Sequence, residues 1–390
     1  MMGAAPSRPP PWRDVRVLRI GAQVVFVAAV AGFLWFLYVN LVTNMRIQGI
    51  GTDYGFLDRR AGFRIAEAGF RSSQPLRDAI LVGVKNTALV SLVGIVLATV
   101  LGVIVGVGRL SSNFLVRRAS SLFVESLRNV PVLVIIIFWS TAVILKLPSI
   151  REPLTWPGMI LSNRGLRVPW PAGHPGLGVF WLGLAAAAAL AALVAMWRTR
   201  HFDRTGAPHH RVLWTTGTFA GVALVVYVAL GAPFTISLPE IEGIHITGGT
   251  AVGPEYAALL LGLAVYTASH IAEIVRGSIL AVPKGQTEAA TAVGLSGLQR
   301  LRLVVLPQAF RVAIPPIANQ YLNLTKNSSL GIAVAYAEIT AVTFIAIGNA
   351  NPAPQAISIM MLVYLAFSLG ISAIANVINR RLQIAGRRSR

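Results

Sequence analysis

The sequence predicts an all-α integral membrane protein with about eight transmembrane helices. Composition is the first observation: of 390 residues, 55% are hydrophobic and 12% charged, with a mean hydropathy of +0.67. A soluble domain carries about 25% charged residues. The second is a series of apolar runs of about 20 residues or more, the length that crosses a hydrocarbon core as a helix. The third is the placement of arginine and lysine, which gather in alternate connections as the positive-inside rule requires.

The runs fall at 20–39, 80–108, 121–146, 177–197, 212–231, 255–275, 311–347 and 356–379. The first follows a segment with Arg8, Arg13, Arg16 and Arg19, and the small-x-small sequence Ala29 to Ala31 lies inside the run rather than at its end. It reads as a retained span, not a signal peptide. Arg109, Arg117 and Arg118 follow span two, and Arg198, Arg200, Arg204 and Arg211 follow span four. Arg276, Lys284, Arg300 and Arg302 follow span six, and Arg380, Arg381, Arg387, Arg388 and Arg390 close the chain. The connections 232–254 and 348–355 contain no Lys or Arg, so both termini are expected to be cytoplasmic.

Two connections resist this scheme. Residues 40–79 carry Arg46, Arg59, Arg60, Arg64, Arg71 and Arg77, and residues 147–176 carry Arg151, Arg164 and Arg167. Both are still expected outside, because reversing them inverts every other loop. Phe56 to Phe70, with Leu57, Phe63 and Ile65 among arginines, suits either a short interfacial helix or a plain solvated loop. The Pro-, Gly- and Trp-rich stretch 147–176 reads as an ordered external loop.

The net charge of +20 follows from membrane orientation and needs no nucleic acid as partner. With no cysteine, the chain has no disulfide, thiolate metal site or cysteine nucleophile. Neither a catalytic constellation nor a clustered metal-ligand set emerges, so an enzyme is not expected and no cofactor is assigned to this chain.

The loop after span six, 276–310, carries the most local structure signals. Pro283 suits a first helical position, Gly294 suits the left-handed residue just past a helix end, and Ser296 with Gln299 forms a capping box. The expectation is a helix–Gly–helix elbow in the cytoplasm. Within it stand Glu288-Ala289-Ala290, three residues, Gly294, nine residues, then Val304-x-Leu306-Pro307. This spacing resembles the signature loop of ATP-binding-cassette (ABC) importer permeases, with Val304 where that pattern usually has Ile.

The resemblance implies that Glu288, Ala289, Ala290, Gly294, Leu306 and Pro307 belong to a coupling helix seated in a cleft of the ATP-hydrolysing subunit. The alternative is an ordinary surface helix-turn-helix with alanines at favourable positions. Leu295-Ser-Gly-Leu-Gln299 mimics the signature pentapeptide of the ATPases themselves, but the chain has no Gly-x-x-x-x-Gly-Lys-Ser/Thr phosphate loop. ATP is therefore expected on a separate subunit.

Further segments resemble the polar amino-acid branch of these permeases: Leu81 to Leu89, Phe123 to Pro131, Tyr266 to Gly277 and Asn323 to Leu330. The likeness covers 80–146 and 255–379, a five-helix core, and the longer layout resembles the larger permease subunit of general L-amino acid systems. It implies four regions: an N-terminal span and external loop (1–79), a first core part (80–146), an inserted loop and helix pair (147–254), and a second core part (255–390). It also implies several partners: a pair of ATP-binding subunits, a second and related permease chain, and a periplasmic amino-acid-binding protein, in a lipid inner membrane.

Polar groups inside spans are costly and face a cavity or a partner. Lys326, Asn327, Ser328 and Ser329 follow Pro315 and Pro316, which are expected to interrupt span seven, so they are candidate substrate-path residues. A kinked helix with Lys326 snorkelling or salt-bridged is equally compatible. Glu125 with Arg128, and Glu273 with Arg276, suit interfacial ion pairs, and a lone His270 suits packing. An ion-gradient-driven transporter or channel is the main alternative function, and it would use intramembrane carboxylates, which are scarce apart from Glu338. A membrane-embedded enzyme is a third option.

Overall fold

The computed structural model describes residues 10, 12, 14–51, 53–171, 177–205, 210–231, 236–243 and 245–382. Among these, seven helices are long and apolar enough to cross a membrane, and a bent pair makes an eighth crossing if it counts as one. The chain is thus a multi-pass membrane protein. It forms two compact units, one from residues up to Asn86 with Ala337–Leu369, the other from Thr87–Tyr336 with Gly370 onward.

The first unit begins with α1 (Val15–Ile47), capped by Asp14, whose carboxylate accepts from the Arg16 N–H at 2.8 Å. The stretch 55–70 is neither an interfacial helix nor a solvated loop. It makes two single 3₁₀ turns, Gly55–Asp58 and Ala66–Ala68, and buries Phe56, Ile65 and Phe70 against Leu76, Ala79, Val342 and Ala346. Its apolar side chains are too regularly buried to be solvated and too irregularly spaced for a helix. The Gln355 amide donates to the Gly51 carbonyl at 2.6 Å, which ties the Arg-rich connection 40–79 to the end of the Arg-free one at 348–355. The two therefore lie on one side of the membrane.

Span seven of the sequence reading, 311–347, is not one helix. It divides into α10 (Leu306–Asn327), a 3₁₀ segment Ser328–Val334, and the short α11 (Ile339–Gly348). Pro315 and Pro316 do not interrupt α10, which runs through both. Neighbouring helices make such prolines tolerable in a membrane. In the first unit Glu338 caps α11: its carboxylate accepts from the Ala341 N–H at 2.8 Å and from the Tyr364 hydroxyl at 2.7 Å, and it is fully buried.

The second unit is built on α7 (Pro254–Leu280), whose Leu259, Leu260, Leu263 and Ile271 lie at the centre of the core. Against it packs α2 (Leu76–Gly108), which contributes to both units, through a stripe repeating every four residues: Val90, Gly94, Ala98, Gly102 and Gly106. A Cβ on Gly102 would stand 2.7 Å from the Ile271 Cβ, and one on Gly106 would stand 2.7 Å from the Ala272 carbonyl oxygen. Lipid supplies no hydrophobic drive between helices, so close backbone approach at small residues supplies the contact instead.

Span three is bent. Amphipathic α3 (Phe114–Arg128) turns by 106° into an apolar segment, α4 (Val132–Phe138) with its continuation to Lys146. Pro131 sits at the corner, and a residue before proline avoids the helical region.

The described residues of the connections 147–176 and 232–254 pair as strands that hydrophobic runs did not reveal. β1 (Leu154–Trp156), β2 (Met159–Ser162), β3 (Gly165–Val168) and β8 (Thr250–Val252) form one antiparallel sheet in that order, with Arg167 opposite Ala251. β4 (Trp170–Pro171) pairs with β5 (Ile236–Ser237), and β6 (Glu240–Glu242) with β7 (His245–Thr247). The sheet puts the Arg-bearing connection on the same side as the Arg-free one, as the alternation argument requires.

Between these strands, α5 (Leu177–Thr205) and α6 (Arg211–Ala229) form a hairpin of their own. Gly183, Ala187, Ala191 and Ala195 recur every four residues along α5, and a Cβ on Gly183 would meet Val226 Cγ1 at 2.5 Å. The last helix is α12 (Ala353–Leu382). Arg8, Arg13, Arg387, Arg388 and Arg390 lie outside the described residues.

Candidate functional site: a capped elbow and the charged ends of three helices

The elbow forms as its local signals require. α8 (Lys284–Ala292) ends at Gly294, whose φ is +80°. Leu295 N–H donates to the Ala290 carbonyl at 3.1 Å and Gly294 N–H to the Thr291 carbonyl at 2.9 Å. These are the paired 6→1 and 5→2 bonds of a Schellman ending. Ser296 then opens α9 (Gly297–Arg300) with the reciprocal capping box: Gln299 Oε1 accepts from the Ser296 N–H at 2.9 Å. Pro283 stands at the cap position rather than in the first turn. Two side-chain bonds brace the corner, Arg300 to the Thr291 hydroxyl at 2.8 Å and Gln308 to Gln286 at 3.2 Å.

The second arm is not a separate helix. α9 continues through a π turn, Leu301–Val305, into α10. The turn's last bond runs from the Leu306 N–H to the Leu301 carbonyl, immediately before Pro307, which has no N–H to give. Leu306 and Pro307 thus join the elbow to a membrane helix, while Val305 and Ala309 bury against Val282.

On α8, Ala290 faces inward, and Glu288 and Ala289 are exposed. Val293 and Leu298, not singled out from the sequence, stand out on either side of Gly294, each 75% exposed. The sequence does not single them out, because Leu295, Leu301 and Leu303 lie in the same stretch and only burial separates them.

Near the ends of α2, α3 and α7 lies a charged cluster. Glu273 accepts from Arg109 and from Arg276 at 2.5 Å, with Arg128 at 3.8 Å. The expected Glu273–Arg276 pair is present. The expected Glu125–Arg128 pair is not: Arg128 turns to Glu273, which already gathers two guanidinium groups. His270 packs on Tyr266 with ring centres 4.6 Å apart, and its Nδ1 lies 3.1 Å from the Tyr266 carbonyl.

The candidate path residues sit at the other end of the unit. Leu324 touches the Gly94 and Leu260 level, whereas Glu273 is 13 residues further along α7, about 20 Å by helical rise. Lys326 is exposed and has no carboxylate within 4 Å among the described residues. Asn327 is half-buried, Ser328 is buried and donates to the Thr325 carbonyl at 2.7 Å, and Ser329 donates to the Lys326 carbonyl at 2.8 Å. An apolar groove of about 520 Å³ runs between α2, α7, α10 and α12, with the Thr99–Tyr321 hydroxyl pair at 2.8 Å and Ser278 as polar features.

The chain is a multi-pass membrane protein that carries a doubly capped elbow on a connection between two spans. Residues 187–384 match the family described as binding-protein-dependent transport system inner membrane component. The chain is 39% identical over 377 residues to the general L-amino acid transport system permease protein AapQ of Rhizobium johnstonii, covering 96% of this chain and 94% of that one. It is 38% identical over 371 residues to the putative amino-acid ABC transporter permease protein YhdX of Escherichia coli, covering 94% of each. The glutamate/glutamine/aspartate/asparagine transport system permease protein BztB of Rhodobacter capsulatus is 36% identical over 411 residues, with 96% of each chain covered. A crystal structure of an amino acid ABC transporter with histidines aligns with a TM-score of 0.46 at 16% identity, covering 78% of this chain and 94% of that one. The chain belongs to the family of inner membrane components of binding-protein-dependent transport systems.

Proposed function

We propose that this chain forms the translocation path of an ATP-driven amino-acid importer and couples it to a separate ATPase through the elbow at 284–300. The end-to-end identity to amino-acid permeases carries this reading. The elbow supplies the means. Its two arms are fixed by the Schellman bonds and the capping box, and its face offers Glu288, Ala289, Val293 and Leu298 to a partner. Exposed apolar side chains on a rigid corner are what a docking surface needs, and Glu288 adds a charge for a basic group across the contact. Leu306 and Pro307 then pass motion of the corner into α10. Lys326 to Ser329 serve as an outer polar station of the path.

The complex contains a pair of ATP-binding subunits, a second and related permease chain, and a periplasmic amino-acid-binding protein. It sits in the inner membrane with both termini of this chain cytoplasmic. ATP binds the partner, and this chain catalyses nothing itself. Glu338, the intramembrane carboxylate that an ion-driven transporter would need, is occupied as the cap of α11, which favours the ATP-driven reading.

The test is uptake of a panel of radiolabelled L-amino acids, L-glutamine among them, into vesicles holding the assembled complex, binding protein and internal ATP. ATP-dependent accumulation is expected. Transport of no amino acid by a fully assembled complex refutes the reading.

A further inference from the structure

We propose that the pocket between the ends of α2, α3 and α7 is an inner station for cargo, binding the α-carboxylate and α-ammonium groups of an amino acid. The inference rests on the amino-acid permease reading and assigns that cargo a site at the opposite end of the core from Lys326. The pocket holds about 300 Å³ and is lined by Arg109, Val124, Glu125, Arg128, Asn129 and His270. That is the lower end of the size range of small-molecule sites.

Its walls present charges of both signs, with Arg109 largely buried and Glu125, Arg128 and Asn129 exposed. Glu125 and Arg128 are three residues apart on α3, a spacing at which opposite charges normally pair. Here Arg128 is drawn 3.8 Å from Glu273, and Glu125 has no cationic partner within 4 Å among the described residues. Three guanidinium groups share the single Glu273 carboxylate, so positive charge remains uncompensated. The Arg109 side chain is 14% exposed, and its Nε is buried with no acceptor. A buried donor without a partner is costly to leave unmet.

On the acceptor side, His270 Nδ1 faces the Tyr266 carbonyl oxygen and must donate to it. In the neutral tautomer that makes this bond, Nε2 is the acceptor. Cationic donors at Arg109 and Arg128 thus fit a carboxylate, while Glu125 and the His270 Nε2 fit an ammonium group. A free amino acid carries both groups on adjacent carbons. A phosphatidylethanolamine headgroup shares this chemistry and is separated by the experiment.

The test uses the assembled complex without the binding protein, in phosphatidylcholine–phosphatidylglycerol vesicles permeable to small solutes. The probe is radiolabelled L-glutamine, or, if that is not taken up, the L-amino acid that the uptake panel identifies. Saturable binding is expected. Glu125→Gln and Arg128→Gln should each weaken it about tenfold or more, the scale of a charge-assisted hydrogen bond. Asn129→Leu, which fills the pocket without touching a charge, should weaken it in assembled complex even if the charge variants fail to assemble.

Wild-type complex that takes up the amino acid but binds none, or variants that bind as wild type does, overturns the pocket assignment and leaves the transport reading intact. Binding that appears only in vesicles without ethanolamine lipid, and is competed away by adding it, identifies the headgroup as occupant and also overturns the assignment. Failure of wild-type uptake for every amino acid refutes the underlying reading instead.

Discussion

Replacing Gly294 isolates the backbone term that shapes the elbow. Its φ is +80°, and no atom lies within 4 Å of where a Cβ would sit, so substitution adds no clash. A non-glycine residue in the left-handed region costs about 1–2 kcal/mol, asparagine less and a β-branched residue more. About 1.4 kcal/mol is a factor of ten, so the population of intact elbow against opened elbow should fall by about 5- to 30-fold. The order of harm should be Asn, then Ala, then Val. The assay measures ATPase copurification, transport-linked hydrolysis and amino-acid uptake together in vesicles, for Gly294→Asn, Gly294→Ala and Gly294→Val. Loss graded in that order supports the left-handed corner as the coupling element. If Gly294→Val retains wild-type values in all three measurements, or if Asn is as harmful as Val, the reasoning is wrong.

Other outcomes follow from the packing and the charges. Gly102→Val should destabilise the α2–α7 contact by about 1–3 kcal/mol or more, because its Cβ meets Ile271; thermal unfolding in detergent checks this, and Gly217→Ala, with open space, should be nearly silent. Glu273→Gln removes the carboxylate shared by Arg109, Arg128 and Arg276 and should cost about 2–3 kcal/mol, below a fully buried pair because 27% of the Glu273 side chain is exposed; Arg109→Met in the same background should recover part of the loss. The chain has no native cysteine, so Arg167→Cys with Ala251→Cys should give a single disulfide across β3 and β8, read as a gel shift that reduction reverses. No crosslink would place the connections 147–176 and 232–254 apart. A reporter fused after Arg390 should report the cytoplasm.

Periodic apolar length and loop charge made the spans legible, since both are properties of composition along the chain. The elbow was legible almost to the residue, because capping is local: Gly294, Ser296 and Gln299 each act within a few positions. What was not legible is non-local. β3 and β8 pair across a gap holding two membrane helices, and the arginines at 164 and 167 look misplaced until the sheet is known. The fate of Arg128 was likewise set by a distant residue, Glu273, rather than by its neighbour Glu125. The break in span seven falls at Ser328, after the prolines rather than at them, because packed neighbours carry α10 through Pro315 and Pro316. Glu338 looked like a stray intramembrane acid; it caps α11 through the Ala341 N–H three residues on, and the non-local part of its environment is the Tyr364 hydroxyl, 26 residues on.

The measurement that tests the account most directly is amino-acid uptake by vesicles containing this chain, its permease and ATPase partners and the external binding protein, with the energy source varied. The account predicts accumulation that requires both internal ATP and the binding protein, that is indifferent to proton or sodium gradients, and that Gly294→Val lowers more than Gly294→Asn does. Accumulation driven by an ion gradient in the absence of ATP and ATPase would contradict it.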